Sequence, residues 1–501
     1  MNSSPTSSPS PTPAPSPFAA EPPRPTSGTT LRRDAIGTWD LVFFVVAAAA
    51  PLTVMAGVAP IGIAVAGPGA VAGYLIAGIA LALFAVGFTA MSRHVNNAGA
   101  FYAYIAQGLG RPAGVGAALV ALVAYSGIGI GLYGAFGFFA HTTGDDLLHL
   151  DLPWWIWTLA SVALVWLLGF RQVTLSAKIL GVALGAEVLI LSVLAVAVLA
   201  QGGPEGFSVE PFRSDNIFTD GFAGALSITF GAFIGFEATA IYGEEARDAG
   251  RAVGRATYIA VGFLAVFYTF IAWIVVTAYG PSLVTGAARE NPPALVFAAT
   301  DEFVGASAVD VMNVLIVTSS FAAILAFHNA ANRYFFALGR EGVLPRPLAR
   351  VHPVHRSPWV AGAVSTALSV VIIAGFALAG LDPFLKLLIW LNSPGIIGVM
   401  ALQALCSFAV VGFYLRRPEL PGSLWVRIIA PLLGGLVLTA ATWLAVDHMD
   451  LLTAADTTTN LVLLLPLPIV FAAGVLLALR LRATDPARYA RLTTDVEEVP
   501  A

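Results

Sequence analysis

Two carboxylates stand inside long apolar runs of this 501-residue chain. Glu187 lies in Val182-Ala183-Leu184-Gly185-Ala186-Glu187-Val188-Leu189, and Glu237 in Phe230-Gly231-Ala232-Phe233-Ile234-Gly235-Phe236-Glu237-Ala238-Thr239. A carboxylate near the centre of a bilayer costs at least about 2.5 kcal/mol, so such a group faces a protein interior. There it is either a hydrogen-bonded structural group or one that exchanges a proton or gates a path. Thr318, Ser319 and Ser320 bring hydroxyls to a further apolar run. Ser319 and Ser320 can ligate Na⁺ through oxygen, or all three can bond back to their own helix. His328, further along that run, is expected to be buried and hydrogen-bonded. The chain has no His/Cys/Asp metal spacing, nucleophile motif or phosphate-binding loop. No catalytic residue, metal site or cofactor is therefore expected, and the chain does not read as an enzyme. Its single cysteine, Cys406, has no partner for a disulfide and reads as a small buried hydrophobe.

The elements that must carry these groups follow from composition. Hydrophobic residues make up 58% of the chain and charged residues 11%, against about 45–50% and 25% in soluble proteins. A net charge of −4 carries no nucleic-acid signature. The chain is read as an all-α polytopic membrane protein. About 20 apolar residues cross a bilayer as helix, and the runs give about twelve spans, centred near Ala50, Leu81, Ala124, Ser161, Ile190, Phe230, Val266, Val317, Ala367, Gly395, Leu436 and Phe471. Residues 1–33 form a Pro/Ser-rich segment expected to be a disordered tail. Residues 34–482 form the transmembrane domain, and 483–501 a short tail. With both termini cytoplasmic, the inner segments hold all but Arg213, Arg289 and Lys386 of the 25 basic residues. Basic residues concentrate on the cytoplasmic side of membrane proteins, so this orientation is expected, in the cytoplasmic membrane. Trp154, Trp155 and Trp157 suit the headgroup region at the start of the fourth span.

Helix breakers at membrane depth require a reason, because freed backbone groups find no water there. The first run carries Pro51, Gly57 and Pro60 near its middle, and the sixth carries Gly231 and Gly235 beside Glu237. Interrupted segments at corresponding places in two five-helix halves point to a midplane site in an inverted-repeat architecture. Gly127, Gly131 and Gly134 fall at helical spacing in the third run and are expected to let another helix approach closely.

Three motifs then carry a family resemblance. The first is Phe230–Glu237 followed by Glu244-Glu245-Ala246-Arg247 and Arg255-Ala256. The second is Ser92-Arg93-His94-Val95-Asn96-Asn97-Ala98-Gly99-Ala100-Phe101-Tyr102 with Gly108-Leu109-Gly110, and the third is Asn332–Pro345. Together these resemble the amino acid–polyamine–organocation superfamily of permeases over about residues 36–415. The resemblance implies a five-plus-five inverted repeat with broken helices one and six, followed by two further helices. It implies backbone N–H groups of Val54 and Met55 toward a substrate carboxylate, and carbonyls of Pro51, Gly231 and Ile234 toward its amino group. The chain departs from the pattern at Gly250 and Gly254, where relatives often have proline, and at Thr53-Val54-Met55, which replaces a Gly-Ser-Gly-like turn. Gly231 stands where a bulky gate residue is common, and Glu187 where some proton-coupled members carry lysine.

The implied function is secondary active transport of amino acids or related amines by alternating access, proton-coupled or by exchange. Glu187 and Glu237 are the expected coupling and gating groups. Na⁺ coupling through Ser319 and Ser320 is the alternative, and a membrane-embedded sensor or enzyme is set aside. The expected partners are the small-molecule substrate, a proton or Na⁺, and the lipid bilayer, with no nucleic acid.

Overall fold

A computed structural model of the chain describes residues 37–95, 101–171, 177–241, 249–355 and 357–492. The tail at 1–33, Asn96–Ala100 and Glu244–Arg247 of the motifs above, and the last nine residues lie outside the described residues. Among the described residues all regular structure is helical. The first apolar run gives α1 (Thr38–Ala48), a π-helical stretch at Thr53–Val58, and α2 (Ala59–Ala66). Then come α3 (Ala70–Met91), the short α4 (Phe101–Leu109), α5 (Arg111–Leu148), α6 (Trp154–Phe170) and α7 (Ala177–Gln201). After α8 (Ser214–Ile217), the sixth run divides into α9 (Asp220–Gly231) and α10 (Ala238–Ile241). It is followed by α11 (Ala249–Tyr279), α12 (Val284–Glu290), α13 (Leu295–Phe303), α14 (Ala306–Glu341) and α15 (Trp359–Leu378). A π-helical turn at Pro383–Leu388 leads into α16 (Ile389–Arg416). Last are α17 (Ala430–Asp447), α18 (Met449–Thr453), α19 (Thr457–Leu464), α20 (Pro466–Thr484) and α21 (Pro486–Arg491).

Nine of the described helical stretches are long and apolar enough to cross a membrane, and α6, with 17 residues, is a shorter apolar helix. Two features separate this number from the twelve runs. The stretch Thr38–Met91 counts as one, and the break in the sixth run leaves neither α9 nor α10 long enough. The exterior is apolar, as lipid requires: Leu189 and Val196 of α7, Leu436 and Trp443 of α17, and Leu461 and Leu476 of α19 and α20 are all exposed.

The 38-residue α5 is the central post, packed along α14, α16 and α20. Its glycines are the reason α16 comes so close. A Cβ on Gly134 would lie 2.3 Å from the Pro383 carbonyl oxygen, and one on Gly131 3.0 Å from that of Leu388. From the other side, a Cβ on Gly395 would lie 2.7 Å from Ile128 Cγ1. The expected close approach of a helix to the third run is thus present, and its partner is α16. Two of the expected interfacial tryptophans also pack inward, with the Trp157 ring 2.6 Å from a Cβ on Gly144 and Trp154 beside Gly137. Trp155 is exposed.

Contacts between helix ends and loops tie distant parts of the chain together. The Tyr102 hydroxyl bonds Glu341 (2.9 Å) and Arg417 donates to Gln107 Oε1 (3.2 Å). Arg111 donates to the carbonyls of Leu492 (3.1 Å) and Ala490 (3.0 Å). Arg289 donates to the Ala64 carbonyl (2.8 Å), Trp273 to that of Ser208 (2.8 Å), and His448 lies 3.6 Å from Asp220. After α21 the chain packs back on the bundle, with Leu492 buried against Val115, Ala478 and Leu481.

Candidate functional site

The first break follows from Pro51. Proline has no N–H to continue a helix and disfavours the α conformation of the residue before it. Ala50 accordingly takes φ +44°, a left-handed conformation that costs a non-glycine residue about 1–2 kcal/mol. Two backbone groups at the break have side-chain partners. The Ala49 carbonyl accepts from the Tyr268 hydroxyl (3.1 Å), and the Leu52 N–H donates to Glu187 Oε2 (3.1 Å). Glu187 on α7 therefore caps the second half of the broken helix, where the N-terminal end of a helix favours negative charge.

The same carboxylate oxygen accepts from the Ser319 hydroxyl (2.9 Å), whose oxygen in turn accepts from Thr53 Oγ1 (3.0 Å). Thr53, Ser319 and Glu187 are all buried. The structure thus joins Glu187 of α7 to Ser319 of α14 and to the first break through one hydroxyl chain. The three consecutive hydroxyls part company here. Thr318 and Ser320 bond back to the carbonyls of Leu315 (2.9 Å) and Val317 (3.0 Å), as helical serine and threonine commonly do. Only Ser319 reaches across.

At the second break the helix tightens before it ends: Phe233 N–H donates to Phe230 O (3.1 Å) and Ile234 N–H to Gly231 O (3.0 Å). Gly235 then turns with φ +122°, where a side chain is strained. Packing is also close there, since a Cβ would lie 3.2 Å from the Ala48 Cβ at the end of α1. The two breaks are therefore in direct contact. Glu237 is fully buried, accepts from the Gly235 N–H (3.1 Å) and is hydrogen-bonded to the Tyr125 hydroxyl. Tyr125 is itself held by stacking on Tyr334, 5.3 Å between ring centres.

Between the breaks lies a cavity of about 60 Å³. Ala48, Ala49 and Ala50 of the first break and Gly231, Ala232 and Ile234 of the second line it, with Thr53 and Val54. Ile128 and Leu132 of α5, Phe327 of α14, and Asn392 and Ile396 of α16 complete much of the wall. Of the residues assigned to substrate from sequence, Val54, Gly231 and Ile234 are brought together here. Pro51 and Met55 are buried next to the cavity in sequence but are not on its lining. The Val54 N–H, expected to face a carboxylate, is donated to the Ala50 carbonyl at 2.9 Å. Glu187 and Glu237 stand behind the wall rather than on it, each holding one break in shape.

Sequence reasoning missed Asn392, Ile396, Tyr125 and Tyr268. Asn392 had a signal: a carboxamide in the apolar run Leu388-Ile389-Trp390-Leu391-Asn392-Ser393-Pro394. A second, smaller cavity of about 10 Å³, room for one water, is lined by Tyr125, Ser126, His328, Ser365 and Ser369. His328 and Cys406 are both buried.

A helical bundle with an apolar exterior, and two helices broken against each other around a buried cavity, has the build of a membrane transporter. The chain belongs to the amino acid permease family, whose profile matches residues 36–476, within the superfamily that the motifs resemble. The branched-chain amino acid permease BcaP of Bacillus subtilis is 24% identical over 424 residues, covering 79% of this chain and 84% of that protein. BcaP of Lactococcus lactis is 26% identical over 395 residues, covering 74% and 80%. The low-affinity putrescine importer PlaP of Escherichia coli is 23% identical over 374 residues, covering 71% and 74%. The family and these relatives are transporters, not enzymes, and the substrates in the relatives' names are branched-chain amino acids and putrescine.

Proposed function

We propose that this chain is a secondary active transporter of neutral amino acids with aliphatic side chains, working by alternating access and coupled to protons through Glu187. The observation that carries the substrate reading is the cavity wall. Its side chains are Ala, Val, Ile, Leu and Phe, with Thr53 and Asn392 as the polar exceptions and no carboxylate. A second ammonium group, as in putrescine, would have no counter-charge there, and an unpaired buried charge is strongly disfavoured. A branched aliphatic side chain suits Ile128, Leu132, Phe327 and Ile396. The α-ammonium suits carbonyls at the breaks, those of Pro51, Gly231 and Ile234, since a carbonyl has a second lone pair after one backbone bond. The carboxylate suits the Val54 and Met55 N–H groups at the start of the second half-helix, which requires Val54 to leave the Ala50 carbonyl as substrate enters.

The proton reading rests on the Glu187 chain. The Ser319 hydroxyl donates to the carboxylate and the Thr53 hydroxyl to Ser319, and neutralising Glu187 weakens its hold on the Leu52 N–H at the break. The sodium reading is supported by the oxygens of Glu187, Ser319 and Thr53 meeting in one place. It is weakened by Ser320, which is turned to the Val317 carbonyl. Glu237, on the opposite break, is read as a gating group.

The architecture proposed is twelve spans. α1–α2, α3, α5, α6 and α7 form one half, and α9–α10, α11, α14, α15 and α16 the inverted second half. Then α17 and α19–α20 follow. The basic residues favour both termini inside, in the cytoplasmic membrane. Uptake of labelled leucine, isoleucine, valine, glutamate, arginine and putrescine into proteoliposomes tests the substrate reading. Leucine, isoleucine and valine are expected to accumulate; accumulation of putrescine without them contradicts it.

A further inference from the structure

Two polar side chains line the cavity, Thr53 and Asn392. The Thr53 hydroxyl donates to Ser319. Asn392 Oδ1 is turned away from open space and has no hydrogen-bond partner among the described residues, so a turn of the carboxamide is needed to present it to the cavity. An acceptor in that state is costly in a protein interior, and more so in one shielded from water by lipid, so it calls for a donor that arrives from elsewhere. Its position is not soft. The Asn392 backbone N would lie 3.3 Å from a Cβ on Gly131, so α16 is seated tightly on α5 at this very residue. Ile396, one helical turn further along, presents its side chain to the same cavity. The face of α16 toward the cavity thus carries one acceptor and one aliphatic group, set one turn apart.

We propose that Asn392 is a substrate-contacting residue whose Oδ1 accepts a hydrogen bond from the ammonium group of the bound amino acid, while Ile396 packs on its aliphatic side chain. This rests on the reading of the cavity as a site for neutral amino acids. The ammonium has three donors. The break carbonyls already carry backbone bonds at Gly231 and a tyrosine hydroxyl at Ala49. Asn392 supplies an acceptor that no group among the described residues uses, and it comes from a helix outside the broken pair.

Binding to purified protein in detergent tests this, with displacement of labelled leucine by leucine, 3-methylbutan-1-amine and 4-methylpentanoate. The last two keep the side chain and lack the carboxylate and the ammonium respectively. In Asn392→Leu, leucine and the amine are expected to weaken by about tenfold or more, the usual scale for a hydrogen bond to a charged group. The affinity of 4-methylpentanoate should change by less than about twofold, so the ratio of leucine to 4-methylpentanoate affinity falls. Asn392→Asp keeps the acceptor and should retain leucine binding. The ratio is read within one protein, so general loss of folded material does not move it, and Asn392→Ala gives the same ratio if the leucine variant does not fold. An unchanged ratio, or a loss confined to 4-methylpentanoate, overturns the proposal. Wild-type protein that binds neither leucine nor valine overturns the substrate reading instead.

Discussion

Replacing Gly231 by alanine adds one methyl group at a place already occupied from across the bundle. The added Cβ would sit 2.5 Å from Ile396 Cδ1, 3.1 Å from its Cγ1 and 3.3 Å from its Cγ2. Ordinary contact begins near 3.4 Å, so the end of the Ile396 side chain must move by roughly 1 Å. Inserting a methyl into a packed interior costs about 1–3 kcal/mol, and Ile396 lines the cavity. Turned into the cavity, Ile396 takes room that the leucine side chain needs, so leucine affinity should fall by about fivefold or more, a loss of about 1 kcal/mol. Ile396→Val removes the nearest atom and alone costs about 0.5–1.5 kcal/mol of stability. The double variant Gly231→Ala/Ile396→Val should therefore recover most of the lost binding, with a coupling of at least about 1 kcal/mol. Leucine binding and thermal unfolding of the four proteins form the cycle. Effects that add within about 0.5 kcal/mol would refute the idea that Ile396 fills the room Gly231 leaves.

Gly134→Ala places a Cβ 2.3 Å from the Pro383 carbonyl, a backbone atom that cannot turn aside; it should destabilise by about 1–3 kcal/mol or more, read as a lower unfolding temperature in detergent. Tyr125→Phe leaves Glu237 without its hydroxyl donor, and the maximal rate of leucine uptake should fall about tenfold or more; an unchanged rate would show that this bond does not matter to the cycle. Cysteines at Asp145 and Asp450 should react with an impermeant maleimide on intact cells and one at Arg340 should not. The native Cys406 is buried and adds little background. Labelling at 340 alone would reverse the orientation.

Both breaks were legible in the sequence because their causes are written in it. Pro51 ends one helix and Gly235 permits the turn of the other, and each lies inside an apolar run that otherwise reads as continuous. The glycines of α5 were legible as a close approach for the same reason, though their partner was not. What crosses the bundle was hidden. Glu187 and the Leu52 N–H are 135 residues apart, and Glu187 and Ser319 132. No local pattern states that they meet. Thr318, Ser319 and Ser320 each point about 100° from the next on a helix, so which one faces Glu187 depends on the rotation of α14. That rotation is set by packing with α5 and not by the triplet itself. Ile396 was invisible for a related reason: an isoleucine in an apolar helix reads as lipid-facing or buried alike until Gly231 is placed opposite it.

Proton coupling through Glu187 is tested most directly by leucine uptake into proteoliposomes under an imposed proton gradient, with and without Na⁺, in wild-type protein and Glu187→Gln. Wild-type uptake should be driven by the proton gradient and be indifferent to Na⁺. Glu187→Gln should still bind leucine and exchange it across the membrane, yet lose both gradient-driven accumulation and the dependence of rate on pH. A Glu187→Gln protein with an unchanged pH profile, beside wild-type uptake that requires Na⁺, would contradict proton coupling and assign the cluster of Glu187, Ser319 and Thr53 to sodium.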